Sequence, residues 1–140
     1  MKITLITVGK TQDREIAATI ADYTLRIAHY SGFETVDTTD DKLAALLEKF
    51  DRVFLLDEKG REYSSTDFAG FIQKQLNAGL KSVAFVIGGA YGFSEEVRAK
   101  ADGMIALSVM TFPHQLVRVI FLEQLYRAFT ILGNEKYHHE

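Results

Sequence analysis

Two short apolar runs constrain this chain more than any other feature in it. Arg52-Val53-Phe54-Leu55-Leu56-Asp57 and Ser82-Val83-Ala84-Phe85-Val86-Ile87 are of strand length and show no polar–apolar alternation. A strand of that kind is wetted on neither face, so it belongs inside a sheet that is covered on both sides. Lys2–Val8, ending at Gly9, reads as a further strand, with Phe33–Asp37 and Met104–Leu107 as shorter ones.

Between these runs the apolar spacing changes to threes and fours. Asp13–His29 carries Ile16, Ile20, Tyr23 and Ile27, and Asp40–Phe50 carries Leu43, Leu46 and Leu47. Both are helical stripes. After Glu58-Lys59-Gly60, which reads as a polar turn, Ser65 or Thr66 caps a helix running to about Asn77, with Gly79 past its end. Ser94 caps a short helix that opens Glu95-Glu96, and a long helix covers Leu116–Leu132. Strands alternating with helices imply an α/β fold, a mostly parallel sheet with helices on both faces. The length suits a single domain over residues 1–140.

The last helix is apolar almost all round in its first half, so it must be covered on more than one side. One layer of a chain this size covers one side, which leaves the other for a second subunit. Arg118, Glu123 and Arg127 interrupt the apolar surface. Either they pair with one another or reach solvent, or Arg118, a turn beyond His114, stands at a pocket mouth.

Composition removes several classes of function. With no cysteine, disulfides and zinc–thiolate sites are excluded, and a reducing cytoplasm is the expected compartment. The opening residues are too short and interrupted for a signal sequence, and no window reaches the roughly 20 apolar residues of a membrane span. A net charge of −3 argues against gripping nucleic acid by bulk electrostatics, while leaving room for a local basic patch.

Ligands of parallel sheets bind beyond the carboxyl ends of the strands, which directs attention to three loops. Gly88-Gly89-Ala90-Tyr91-Gly92 matches neither the dinucleotide nor the P-loop glycine pattern, and Glu95-Glu96 behind it would repel a phosphate. Leu107-Ser108-Val109-Met110-Thr111-Phe112-Pro113-His114 holds the chain's one proline. It mixes hydroxyls, apolar side chains and backbone groups, which suits an adenine ring. Asp57, after Leu56, can accept a ribose hydroxyl or cap a turn. Each loop taken alone has an ordinary structural reading. Converging on one sheet edge, they describe a pocket for a nucleoside that is neutral or cationic, and S-adenosylmethionine fits. In the tail, Tyr137, His138 and His139 supply proton-transfer groups and a stacking ring at a place where chains usually fray. A metal site is not expected there, because adjacent histidines in a strand point apart. His29 is given no role.

These strings resemble a known family. Ile87 through Gly92, Leu107 through Arg118, Glu123 through Ala128 and the Tyr137-His138 ending are similar to the ribosomal large-subunit methyltransferase H family of the SPOUT superfamily. The opening through Val8-Gly9-Lys10 and Leu56-Asp57 through Ser65 are similar too, so the resemblance covers the whole chain. The stretch about Thr38–Lys49 is more compact than the family pattern, with no motif position lost. The resemblance implies a C-terminal trefoil knot, a homodimer, and methylation at N3 of a pseudouridine in a hairpin loop of large-subunit (23S) rRNA; the net acidity suggests docking on an assembled ribosomal surface, where shape and local contacts replace a basic face. Carried over by position, Leu56, Gly88, Leu107, Ser108, Val109, Met110, Thr111 and Phe112 would contact S-adenosylmethionine. His114, Arg118, Tyr137, His138 and His139 would face the RNA, with His138 taking the imide proton and Arg118 stabilising the developing charge. No membrane or metal partner is implied. Two other readings remain: a tRNA methyltransferase of the same superfamily, and a non-catalytic dimeric module that binds a nucleoside.

Overall fold

The computed structural model describes residues 1–139. Its strands are β1 (Lys2–Val8), β2 (Gly32–Thr38), β3 (Arg52–Glu62), β4 (Ser82–Ile87) and β5 (Gly103–Ala106). They form one sheet in the order β2-β1-β4-β3-β5, with every pairing parallel. The helices α1 (Arg14–Ala28), α2 (Asp40–Leu47), α3 (Ser65–Asn77), α4 (Glu95–Lys100) and α5 (Leu116–Leu132) fill the crossovers that parallel strands require.

The strand alternation explains why the apolar runs have no polar side. On β4, Val83, Phe85 and Ile87 enter the core shared with α1, α3 and α5, whereas Ala84 and Val86 enter the core shared with α2 and α4. All five are 3 % exposed or less. Fully burying a valine, isoleucine or phenylalanine side chain contributes about 1.5–3 kcal/mol, so β4 contributes strongly to the fold's stability.

The caps are side-chain bonds to orphan helix N–H groups. Asp13 accepts from Ile16 N–H at 2.9 Å and Ser94 from Val97 N–H at 3.2 Å. For α3 the cap is Ser64, whose hydroxyl accepts from Asp67 N–H at 3.0 Å. The cap is therefore one residue earlier than the expected Ser65 or Thr66, and Ser65 opens the helix itself.

A β3 longer than its apolar run corrects the polar turn. The strand reaches Glu62 through an irregularity between Leu56 and Arg61, and both of those residues pair with Ile105 on β5. Gly60 makes this possible: a Cβ there would lie 2.6 Å from the Met104 carbonyl carbon and 2.7 Å from Ile105 N. The backbones cross too closely for any side chain.

Helix α5 is covered differently from the sequence expectation. It packs against both α1 and α3 of its own chain. Phe121 meets Phe68 of α3 with ring centroids 6.2 Å apart, and Tyr126 meets Tyr23 of α1 at 6.0 Å. Phe121, Leu122, Leu125 and Ala128 are fully buried without a second subunit. No described helix is long and apolar enough to cross a membrane.

Candidate functional site

The middle of β3, at Leu56–Glu58, and the carboxyl ends of β4 and β5 lead into one cavity of about 390 Å³. Seven of the expected cofactor residues line it: Leu56, Gly88, Leu107, Ser108, Met110, Thr111 and Phe112. Val109 does not; it is 67 % exposed. Sequence reasoning missed Phe93 and Val117, which also line the wall. Phe93 had a signal, an aromatic immediately beyond the glycine loop.

The wall is close-fitting at the glycines. A Cβ on Gly88 would come within 3.1 Å of the Phe93 ring. The turn at Gly89–Gly92 is closed by Gly92 N–H donating to the Gly89 carbonyl at 3.1 Å, and Gly92 sits at φ 72°, a conformation that glycine adopts without strain. On the β5 side, Met110 N–H donates to the Ser108 hydroxyl at 3.0 Å and fixes the bend. Leu107 and Phe112 form a partition, because a second recess of about 320 Å³ lies behind them against Phe68, Ile120 and Gln124.

The polar lining contains no lysine or arginine. Asp57 accepts from Lys59 N–H at 2.9 Å and pairs with Arg98 at 3.2 Å, so its turn-capping reading has the geometry. Glu58 accepts from the Thr111 hydroxyl at 2.7 Å, a neutral donor that leaves the carboxylate charge at the rim. Such a lining disfavours phosphate and favours a cationic nucleoside.

Arg118 is not at the mouth. It is completely buried and donates to the His114 carbonyl at 3.2 Å, the Thr11 hydroxyl at 2.9 Å and the Val8 carbonyl at 3.3 Å. Burial lowers its pKa, and the nearby Asp37 opposes that shift. The guanidinium ties the end of β1 to the turn before α5, so His114, which does line the cavity, has its backbone fixed from behind. Gln115 adds to the tie, accepting from Gln12 N–H at 2.9 Å and donating to the Lys10 carbonyl at 3.2 Å.

The tail is docked on α5. Glu123 pairs with Arg127 at 3.0 Å and accepts from the Tyr137 hydroxyl at 2.8 Å. Arg127 lies 3.0 Å from His138 Nδ1 and stacks over the Tyr137 ring at 4.9 Å. Glu123 and Arg127 therefore pair with each other, as one of the sequence alternatives had it, and also hold the tail. His139 is exposed. None of Tyr137, His138 or His139 lines the cavity. Val117 at its wall and Arg127 at the tail anchor are about 15 Å apart along α5 at the helical rise. Among the described residues no three histidine or carboxylate groups gather as metal ligands.

A family model described as "Predicted SPOUT methyltransferase" matches residues 1–138. Over 156 aligned positions the chain is 47 % identical to the ribosomal RNA large subunit methyltransferase H of Christiangramia forsetii, covering 99 % of each. The chain belongs to the methyltransferase H family of SPOUT enzymes. A second methyltransferase H, from Cytophaga hutchinsonii, is 45 % identical over 155 positions, covering 99 % of this chain and all of that one. Since this chain has 140 residues, at least 15 of those positions fall on gaps within it. The SpoU methyltransferase AviRb from Streptomyces viridochromogenes, solved with AdoMet, shares the fold at a TM-score of 0.54 and 13 % identity, covering 96 % of this chain and 59 % of that one.

Proposed function

We propose that this chain binds S-adenosylmethionine in the strand-end cavity and methylates N3 of a pseudouridine in large-subunit rRNA, acting on the assembled ribosome in the cytoplasm. The observation that carries the reading is the cavity itself: it is nucleoside-sized, walled by glycines at two of which, Gly88 and Gly89, a Cβ would crowd a neighbouring side chain, free of lysine and arginine, and rimmed by a carboxylate. The methyltransferase H relatives supply the rRNA, and AviRb supplies the precedent for AdoMet on this fold.

When bound, S-adenosylmethionine supplies a sulfonium methyl with a good leaving group, so the chain's own task is alignment. Gly88 and the Ser108–Phe112 bend hold the nucleoside end. His114 faces the cavity from the α5 side, where it meets the target base. His138 accepts the N3 proton through its ring. The buried charge of Arg118 favours the developing imide anion from behind the His114 backbone.

The separation of tail and cavity along α5 supports a homodimer, in which Tyr137, His138 and His139 of one protomer complete the cavity of the other. The C-terminal trefoil knot implied by the family belongs to the same proposal.

The test is transfer of labelled methyl from S-adenosylmethionine to ribosomes lacking the modification, followed by mass spectrometry of the large-subunit nucleosides. Label on N3 of a single pseudouridine supports the reading. Label entering tRNA instead favours the tRNA alternative, and tight cofactor binding with no transfer to either favours a non-catalytic module.

A further inference from the structure

Two exposed side chains beside the cavity have no task in the reading above. Tyr91 stands at the tip of the Gly89–Gly92 turn and is 98 % exposed. The turn is fixed, and it is seated on β1, since a Cβ on Gly89 would come within 3.3 Å of Val8 Cγ1. Gly89, Ala90 and Gly92 line the cavity, so the ring projects at its mouth. A tyrosine ordinarily buries much of its ring. This one has no ring contact or side-chain hydrogen bond among the described residues.

Lys10 stands on the neighbouring loop. Strands β1 and β4 are paired with Thr7 opposite Ile87, which places Gly9-Lys10 beside the glycine turn. The Lys10 backbone is clamped by Gln115 while Arg118 grips Val8 and Thr11 on either side of it. Its side chain is exposed and makes no ion pair among the described residues. Burying an arginine against neutral acceptors is unfavourable unless its bonds are used. Here the bonds immobilise a loop whose outward cation is Lys10.

Single-stranded RNA offers alternating phosphates and unstacked bases, and proteins that bind it pair a cation with an aromatic platform. We propose that Lys10 and Tyr91 are RNA-positioning residues of this site. Lys10 takes a backbone phosphate beside the target nucleotide, and Tyr91 stacks on an unpaired neighbouring base. In a chain of net charge −3, one placed cation does locally what a basic face does in other RNA enzymes. The proposal rests on the rRNA-methylation reading and assigns its docking contacts.

The experiment is steady-state methylation of ribosomes at several salt concentrations, with calorimetry for S-adenosylmethionine and co-sedimentation with ribosomes read in parallel. Tyr91→Ala is expected to raise KM for ribosomes about tenfold or more, with Tyr91→Phe near wild type and cofactor affinity unchanged in both. Lys10→Gln is expected to raise KM and to flatten the salt dependence by about one phosphate contact. Wild-type KM and salt slope in both alanine and glutamine variants would overturn the proposal. So would a Tyr91→Ala protein that changes oligomeric state, since the ring would then be a protein contact. An inactive wild type would count against the methylation reading alone. Co-sedimentation still decides the docking contacts in that case: weakened association in both variants supports them, and unchanged association removes them.

Discussion

Tyr137 donates its hydroxyl to Glu123 at 2.8 Å, and this bond fastens the tail to the helix that runs away from the cavity. Burial, and then the bond to Glu123, push the tyrosine pKa well above its ordinary value, so the phenol stays a donor throughout the working pH range. Because Glu123 also holds Arg127, which reaches His138, one carboxylate orients the whole tail.

Replacing that carboxylate should therefore uncouple tail from helix. Glu123→Ala is expected to lower ribosome methylation by tenfold or more while leaving S-adenosylmethionine affinity within about twofold. His138→Ala should lose up to the 10²–10⁴-fold typical of a general base, and raising the pH should restore part of it. Rate measurements across pH check both. A His138→Ala protein at full activity would remove the proposed base.

Arg118 separates clamp from charge. Arg118→Met leaves the Val8 and His114 carbonyls and the Thr11 hydroxyl without their donor, at a cost of about 2–4 kcal/mol, readable by urea unfolding. Arg118→Lys keeps the charge, but one ammonium cannot reproduce the three-way fork. Activity retained in Arg118→Lys and lost in Arg118→Met would assign Arg118 an electrostatic part in the reaction. Equal loss in both would leave it as the fastener of the His114 turn.

Two glycines should fail differently. Gly88→Val places bulk against Phe93 inside the cavity, so calorimetry should show cofactor binding weakened at least tenfold in a folded protein. Gly60→Ala drives a Cβ into the Met104–Ile105 backbone, where no side chain can swing aside. A loss of about 2–4 kcal/mol is expected from overpacking and backbone shift.

The proposed dimer is best tested away from the core. A charge at Phe121 or Leu125 would unfold the protomer, because both are fully buried within it. Leu116 is 45 % exposed at the start of α5, so Leu116→Glu should leave the melting temperature nearly unchanged. Sedimentation equilibrium at micromolar protein should then report a monomer where the wild type is a dimer.

The sheet was legible in the sequence because β3 and β4 carry uninterrupted apolar runs and β1 a mostly apolar one, and the cavity followed from where those runs stop. Glu58-Lys59-Gly60 misled about where β3 ends, because its composition is that of a turn. Its continuation as strand depends on pairing with Ile105 and Ala106, more than forty residues away. The Ser64 cap was hidden among consecutive hydroxyls. Arg118 gave no signal of its depth. Its partners Val8 and Thr11 lie at the other end of the chain, and an arginine in a helix ordinarily reads as exposed. The cover that α1 and α3 supply to α5 was not legible, because periodicity reports how much of a helix is apolar and not whose residues lie against it.

The strand order β2-β1-β4-β3-β5 also sets a timetable. β1 sits between β2 and β4, so its second edge stays unpaired until residues 82–87 have left the ribosome. The face carrying Ile3 and Leu5 is covered in stages, by Ile27 of α1, then by Phe68 and Ile72 of α3, and last by Phe121 and Leu125 of α5. With every pairing parallel, no local hairpin can hold the sheet in the interim. The growing chain thus carries β1 paired on one edge only until β4 is made, and its yield depends on how that open edge is shielded in the interim.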